Sequence, residues 1–125
     1  VADFKIKQEK KEKIKKEECI NLNLEKNIDI LNYVAKHNSL RPKLVIGFAA
    51  ETNNLVENSK NKLIEKNCDW IIANDVSNKS IGFDSDFNEV TIFYKDNKIN
   101  DEKLYMKKKS EISEEIIDRV ISQLN

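Results

Sequence analysis

Glycine, proline, arginine, histidine and cysteine are all scarce in this 125-residue chain, and each scarcity narrows what it can do. With only two glycines, the sequence holds no P-loop, no GxGxxG and no GxSxG, the turns that bring backbone amides or a nucleophile onto a substrate. One histidine, His37, and two cysteines, Cys19 and Cys68, lie far apart and outside any CxxC or HExxH pattern, so they do not make up a zinc site. The two thiols read as reduced and structural, and His37 as a surface residue at a helix end. All but two of the 22 basic residues are lysine, the exceptions being Arg41 and Arg119, which argues against planar, bidentate reading of bases. An excess of one charge sign is also missing: 22 basic and 22 acidic residues cancel, so no global field draws the chain to nucleic acid or to anionic lipid. No apolar run approaches the roughly 20 residues of a membrane helix, and no charged-then-apolar leader opens the chain. A soluble, cytoplasmic protein is the expectation, with neither nucleic acid nor membrane as a partner.

What is present is a dense surface charge. Charged residues make up 35% of the chain, against about 25% in an ordinary domain. The length supports one hydrophobic core that buries roughly two thirds of the unfolded surface, and some apolar surface is left for a partner. No internal repeat is visible.

The chain is organised around Gly47 to Asn54, GFAAETNN, at the end of the apolar run Leu44-Val45-Ile46. A buried strand over Lys43 to Phe48 that ends in small and polar residues is how an open α/β sheet presents a ligand crevice at its carboxyl edge. Thr52, Asn53 and Asn54 are expected to supply capping oxygens for the next helix. That helix should run from about Leu55 to Lys66, with Leu55, Val56, Ser59, Leu63 and Ile64 on its buried side. Lys62 and Lys66, four apart, share one face, as a solvated pair or as the walls of an anion site. Cys68 to Ala73 reads as a short buried strand closed by Asn74-Asp75. Strand, helix and strand in about 30 residues predict a βαβ unit with a parallel sheet core.

Upstream, Val1-Ala2-Asp3-Phe4 reads as the last residues of a strand whose beginning is absent, so the chain is expected to be a carboxyl-terminal piece. Residues 5–18, KIKQEKKEKIKKEE, hold seven Lys and four Glu. This run is a solvated connection, or a flap that lowers Lys13, Lys15 and Lys16 onto a polyanion. Cys19 to Leu24 alternates as a strand with one wet face. Asn27 or Asp29 should cap a helix through Leu31, Val34 and Ala35 that ends near His37, before a turn from Ser39 to Pro42. Downstream, residues 76–88 are turn-rich; Asp84 and Asp86 form a loop cap or, less economically, two of the three or more ligands a divalent cation needs. Glu89 to Tyr94 and Lys103 to Lys107 predict an edge hairpin around Asp96-Asn97-Lys98. Ser110 opens a last amphipathic helix with Ile116, Ile117, Val120, Ile121 and Leu124 as its apolar stripe.

GFAAETNN, the lysine-bearing helix, IANDVS and GFDSDFNEV, together with VADF, the EKIKK segment at Glu12 to Lys16 and KNIDIL at Lys26 to Leu31, resemble the carboxyl-terminal half of phosphopantothenate–cysteine ligase. The resemblance covers essentially the whole chain. It implies an α/β fold: a Rossmann-like, three-layer arrangement with a mostly parallel sheet and an antiparallel edge hairpin, forming the carboxyl-terminal part of a larger domain. It also implies a coenzyme A biosynthesis reaction in two halves. The carboxylate of 4′-phosphopantothenate attacks the α-phosphate of CTP, pyrophosphate leaves, and the cysteine amine then displaces CMP from the acyl-cytidylate. By the same resemblance Asp3 and Lys13 bind nucleotide, with Lys13 catalytic in the flap and Lys15 and Lys16 completing it. Phe48 lines the cytidine site, Ile28, Asp29, Ile30 and Leu31 give backbone contacts, and Lys62 and Lys66 take the phosphate charge. Asn74 and Asp75 match the family's AND motif without an assigned step. Mg²⁺ accompanies the triphosphate, and FMN belongs only to a decarboxylase domain fused upstream in many bacteria.

The family's amino-terminal half, with its glycine-containing phosphate loop, remaining strands and an asparagine that handles the acyl-cytidylate, has no counterpart in these residues. The 125 residues alone are therefore expected to be inactive and to need that half. Family members are dimers, so the Cys19 to Leu24 strand and the late hairpin are the expected subunit contacts. Two other readings stand beside this one: a noncatalytic nucleotide-binding relative, and a lysine-rich nucleic-acid or protein interaction module acting through Lys5 to Lys16.

Overall fold

The computed structural model describes residues 2–7, 21–77 and 85–125. The main sheet has four strands in the order β3-β4-β5-β6: β3 (Ile46–Glu51), β4 (Trp70–Asp75), β5 (Phe87–Tyr94) and β6 (Glu102–Lys108). β3 and β4 run parallel, with Phe48 opposite Ile72 and Glu51 opposite Asp75. β5 is antiparallel to β4, and β6 to β5, with an irregularity between Asn88 and Val90. The expected parallel core is thus the β3–β4 pair, and the expected edge hairpin is β5–β6, turned at Asp96, which accepts from the amides of Lys98 and Ile99. Of the three pairings described in this sheet, one is parallel.

Helix α2 (Leu55–Glu65) covers one face of this sheet and α3 (Lys109–Leu124) the other, which gives three layers. On the α2 side the core is Val45, Ala49, Leu63, Cys68, Ile71, Ala73 and Phe93, with Ala35 of α1 (Ile30–Ala35) closing it. On the α3 side it is Trp70, Ile72, Val90, Ile92, Leu104 and Ile112. Alternate residues of β4 feed the two cores, as a strand buried on both faces requires. A separate ribbon pairs β1 (Phe4–Ile6) with β2 (Leu24–Lys26) antiparallel, Phe4 opposite Lys26.

Several boundaries differ from those expected. The strand predicted over Cys19 to Leu24 is formed instead by Leu24–Lys26; residues 21–23 lie outside it, and Cys19 and Ile20 lie outside the described residues. Alternation gives a strand its faces, but the partner Phe4–Ile6 sets its register. Lys5 and Ile6, assigned to the flap, belong to β1; residues 8–18, with Lys13, Lys15 and Lys16, lie outside the described residues, as does Asp84. The central strand starts at Ile46 rather than Lys43 and continues through GFAAE, because its pairing with β4 extends to Glu51.

The capping expected of Thr52, Asn53 and Asn54 is not made by side-chain oxygens. Asn54 is the N-cap of α2, but it stands in the left-handed region (φ 46°, ψ 40°) with no side-chain capping bond. Asparagine is used here for a backbone conformation that few residues other than glycine adopt. Of the residues assigned to the buried side of α2, Ser59 and Leu63 are buried and Leu55 packs against the core, whereas Val56 and Ile64 are exposed. The α3 stripe is likewise wider than its footprint. Ile112, Ile116 and Val120 meet the sheet, while Ile117, Ile121 and Leu124 face outward. The start of α3 is closed by Glu111, whose carboxylate accepts from the Lys108 amide at 2.9 Å.

Candidate nucleotide site

Helix α1 begins where Asp29 turns the chain. Its Oδ1 accepts from the Asn32 amide at 2.9 Å, so of the two expected caps, Asn27 and Asp29, it is Asp29 that serves. Asn27 instead ties the chain back to the β1 end, donating from Nδ2 to the Ala2 carbonyl and from its amide to the Asp3 carbonyl, both at 2.8 Å. These bonds hold Asp3 and Phe4 beside the segment Ile28–Leu31. Across a gap stands β3, whose edge away from β4 pairs with no described strand.

That gap is a cavity of about 1090 Å³, walled by Asp3, Phe4, the turn Lys26–Leu31, Val34, the β3 edge from Leu44 to Ala50, and Lys62 and Lys66 of α2. Asp3, Ile28, Asp29, Ile30, Leu31, Phe48, Lys62 and Lys66, the residues singled out in the sequence, all line it. They come from four stretches that sequence alone leaves apart. Lys13 lies outside the described residues. Phe48 is 74% exposed, so its ring is a wall of the cavity and not part of either core. Gly47 keeps the strand close to its neighbours: a Cβ there would come within 2.7 Å of Ile71 Cδ1 and 2.8 Å of Leu31 Cδ2.

Electrostatically the cavity has two lysines whose charges already have partners. Lys66 Nζ bonds Asp29 Oδ2, and Lys62 Nζ bonds Glu51 Oε1 at 2.6 Å. The Lys66 bond, followed by the Asn32 amide, holds the Asp29 carboxyl below its ordinary range, and the same bond raises Lys66. The Lys62 bond lowers Glu51 against the opposing effect of burial, with a smaller contribution from Asn58. Each of the two ammonium groups makes one of these bonds and has further N–H donors left over. The like-charge cost of stacking Lys62 and Lys66 on one helix face is met by these two carboxylates. Sequence reasoning did not find Glu51 in this role, since it lies eleven residues from Lys62 and no local spacing links them.

The AND motif ends β4 beside this site, Asn74 opposite Ala50 and Asp75 opposite Glu51. Asp75 accepts from the Ser77 amide at 2.9 Å and its hydroxyl at 2.6 Å, which holds the turn and lowers the carboxyl. At the opposite end of β3, Asp69 accepts from Arg41 at 2.9 Å and from the Val45 amide at 2.7 Å. Arg41 thereby anchors the strand that carries Phe48, also donating to the Ala35 and Asn67 carbonyls. His37, expected at a helix end, accepts from the Leu40 amide there at 3.1 Å. Among the described residues no group of three or more His, Cys, Asp or Glu could hold a metal ion, and no helix is long and apolar enough to cross a membrane.

Residues 1–124 match the family described as the DNA/pantothenate metabolism flavoprotein C-terminal domain. The chain is 38% identical to the coenzyme A biosynthesis bifunctional protein CoaBC of Escherichia coli strain K12, over 98% of its own length and 30% of that protein. It is 41% identical to the protein of the same name from Borreliella burgdorferi, over 94% of the chain and 29% of the relative. It spans about a third of the length of these relatives. Among solved structures it resembles the C-terminal domain of a CoaBC protein with a TM-score of 0.65 and 34% identity, covering 82% of this chain and 45% of that one.

Proposed function

Since the chain belongs to the DNA/pantothenate metabolism flavoprotein C-terminal domain family, we propose that it forms the nucleotide-binding part of a phosphopantothenate–cysteine ligase of coenzyme A biosynthesis. The observation that carries this reading is the convergence of Asp3, Ile28–Leu31, Phe48, Lys62 and Lys66 around one cavity. A triphosphate needs cations where its charge accumulates, a base needs an apolar plane, and the cavity offers both.

In the proposed reaction a 4′-phosphopantothenate carboxylate oxygen bonds the α-phosphorus of CTP, and the bond to the β,γ-pyrophosphate breaks. The amine of cysteine then bonds the acyl carbon of the cytidylate, CMP leaves with the electron pair, and the amine loses a proton. A carboxylate is already a nucleophile at neutral pH, so the first half requires charge neutralisation more than a base. Lys62 and Lys66 supply it, with Lys13 as the catalytic cation of the flap. Phe48 stacks against the cytidine, and the backbone of Ile28 to Leu31 borders it. Mg²⁺ would enter with the triphosphate, since the described residues do not by themselves form a metal site.

A ligand pocket usually occupies about 300–1,000 Å³, and at about 1090 Å³ the cavity leaves room beside a nucleotide. We assign the remainder, along the β3 edge, to the amino-terminal part of the ligase domain, and place the protein in the cytoplasm as a homodimer. The test joins this chain to such an amino-terminal part and follows pyrophosphate release with CTP, 4′-phosphopantothenate and cysteine. Turnover that depends on all three substrates and falls in Lys13→Ala and Lys66→Ala supports the reading. Absent turnover in the joined protein, with CTP still bound, would leave a noncatalytic nucleotide-binding relative.

A further inference from the structure

Of the three lysines that line the cavity, Lys62 and Lys66 each bond a carboxylate, but they are held differently. The Lys66 partner, Asp29, is 40% exposed, whereas the Glu51 side chain is only 11% exposed. The lysine side chains themselves are 42% (Lys62) and 33% (Lys66) exposed, so the difference lies in the carboxylate, which fixes geometry weakly where water competes for it. Glu51 is fixed from two sides: Oε1 takes the Lys62 ammonium at 2.6 Å, and Oε2 takes Asn58 Nδ2 at 3.1 Å. Asn58 is itself pinned, donating from Nδ2 to the Asn53 carbonyl at 3.1 Å and from its amide to Asn54 at 2.9 Å. Glu51 is thus the last residue of β3, locked to the first turns of α2, with its charge directed at one side chain that borders the cavity.

Resting on the nucleotide-site reading above, we propose that Glu51 is a positioning residue: its carboxylate holds the Lys62 ammonium at the carboxyl end of β3, with its remaining N–H donors directed at the phosphates of a bound nucleoside triphosphate. An ammonium has three donors, so one bond to Glu51 leaves two for phosphate oxygens. A lysine held in this way has already lost the rotamer freedom that ligand binding would otherwise have to remove. The carboxylate is also a competing anion, and the two effects have opposite signs. Positioning is the stronger where both anions share one ammonium, and it predicts that neutralising Glu51 weakens binding.

The experiment measures CTP affinity by calorimetry for this chain joined to an amino-terminal part of the ligase domain, in four forms: unchanged, Glu51→Gln, Lys62→Ala and the double variant. Glutamine keeps the length and the Asn58 contact but loses the charge. The expected result is a loss of about 5- to 10-fold in affinity for Glu51→Gln and no further loss when it is added to Lys62→Ala. A purely structural Glu51 would lower affinity equally in both backgrounds, and that additivity overturns the proposal. Unchanged or tighter binding in Glu51→Gln, as release of a competing anion would give, also overturns it. No CTP binding by the unchanged joined protein would instead overturn the nucleotide-site reading and the proposal together, a result distinct from the previous two. If Glu51→Gln does not fold, Glu51→Asp carries the same cycle, since its carboxylate is one methylene too short to reach Lys62 in the same place.

Discussion

Gly47 and Cys68 meet behind the wall of the cavity, and both are chosen for size. The backbone at Gly47 is not in the left-handed region, so what the position requires is clearance. Gly47→Ala would push Ile71 and Leu31, and because the nearest atoms are side-chain ends the strand can yield. The expected cost is about 1–3 kcal/mol of overpacking, read in a denaturant titration, with weaker CTP binding because Leu31 is a cavity residue. Cys68 lies fully buried in the same core. Burial, then the charge of Asp69, pushes its thiol up from the ordinary value. Only a thiolate attacks a thiol reagent, so in a Cys19→Ser background Cys68 should stay unmodified in the native chain and react once urea unfolds it. Rapid labelling of the native form would contradict this packing.

At the scale of elements, the β3–α2 turn depends on Asn54. A non-glycine residue in the left-handed region costs about 1–2 kcal/mol, and asparagine bears it more easily than most. Asn54→Ala should therefore lower stability by about 1 kcal/mol. Asn54→Gly should be neutral or slightly stabilising, since no side-chain capping bond is lost. The sheet end of α3 is held electrostatically. Arg119 donates to both oxygens of Glu102, and Tyr94 donates to the same carboxylate at 3.2 Å. These bonds, Arg119 first, depress the Glu102 carboxyl and raise Arg119 further. A carboxyl depressed in the folded state stabilises the fold above its unfolded value, near 4.3, and that contribution is lost as pH falls through the folded value. Because Glu102 is 40% exposed, screening limits the effect to about 0.5–1 kcal/mol. Glu102→Gln should remove this part of the acid sensitivity, so its urea midpoint should fall less than that of the unchanged chain between pH 7 and pH 3.

At the scale of the molecule, β3 carries the cavity along an edge that no described strand pairs, and Phe48, Ile117, Ile121 and Leu124 stand exposed. Unpaired strand edges and apolar faces are costly to leave in water. Joined to the amino-terminal part of a ligase domain, the chain should show a higher melting temperature and slower hydrogen exchange at β3 amides. Exchange unchanged at β3 would mean that the added part docks elsewhere.

Periodicity and turn chemistry made the layers legible in the sequence: the apolar runs Val45-Ile46 and Ile71-Ile72, the hairpin around Asp96 and the amphipathic α3 are each specified within a few neighbouring residues. Local signals could not fix β2, whose register depends on Phe4–Ile6, nor separate Val56 and Ile64 from the buried side of α2, because burial depends on what lies opposite. The same division holds at the site. The motifs named its residues one by one through their resemblance to a family. Only the tertiary structure brought Asp29 to Lys66 and Glu51 to Lys62, across 37 and 11 residues. Side-chain charge is written in the sequence, but the carboxylate that each ammonium meets depends on how the strand end and the helix are set together in space.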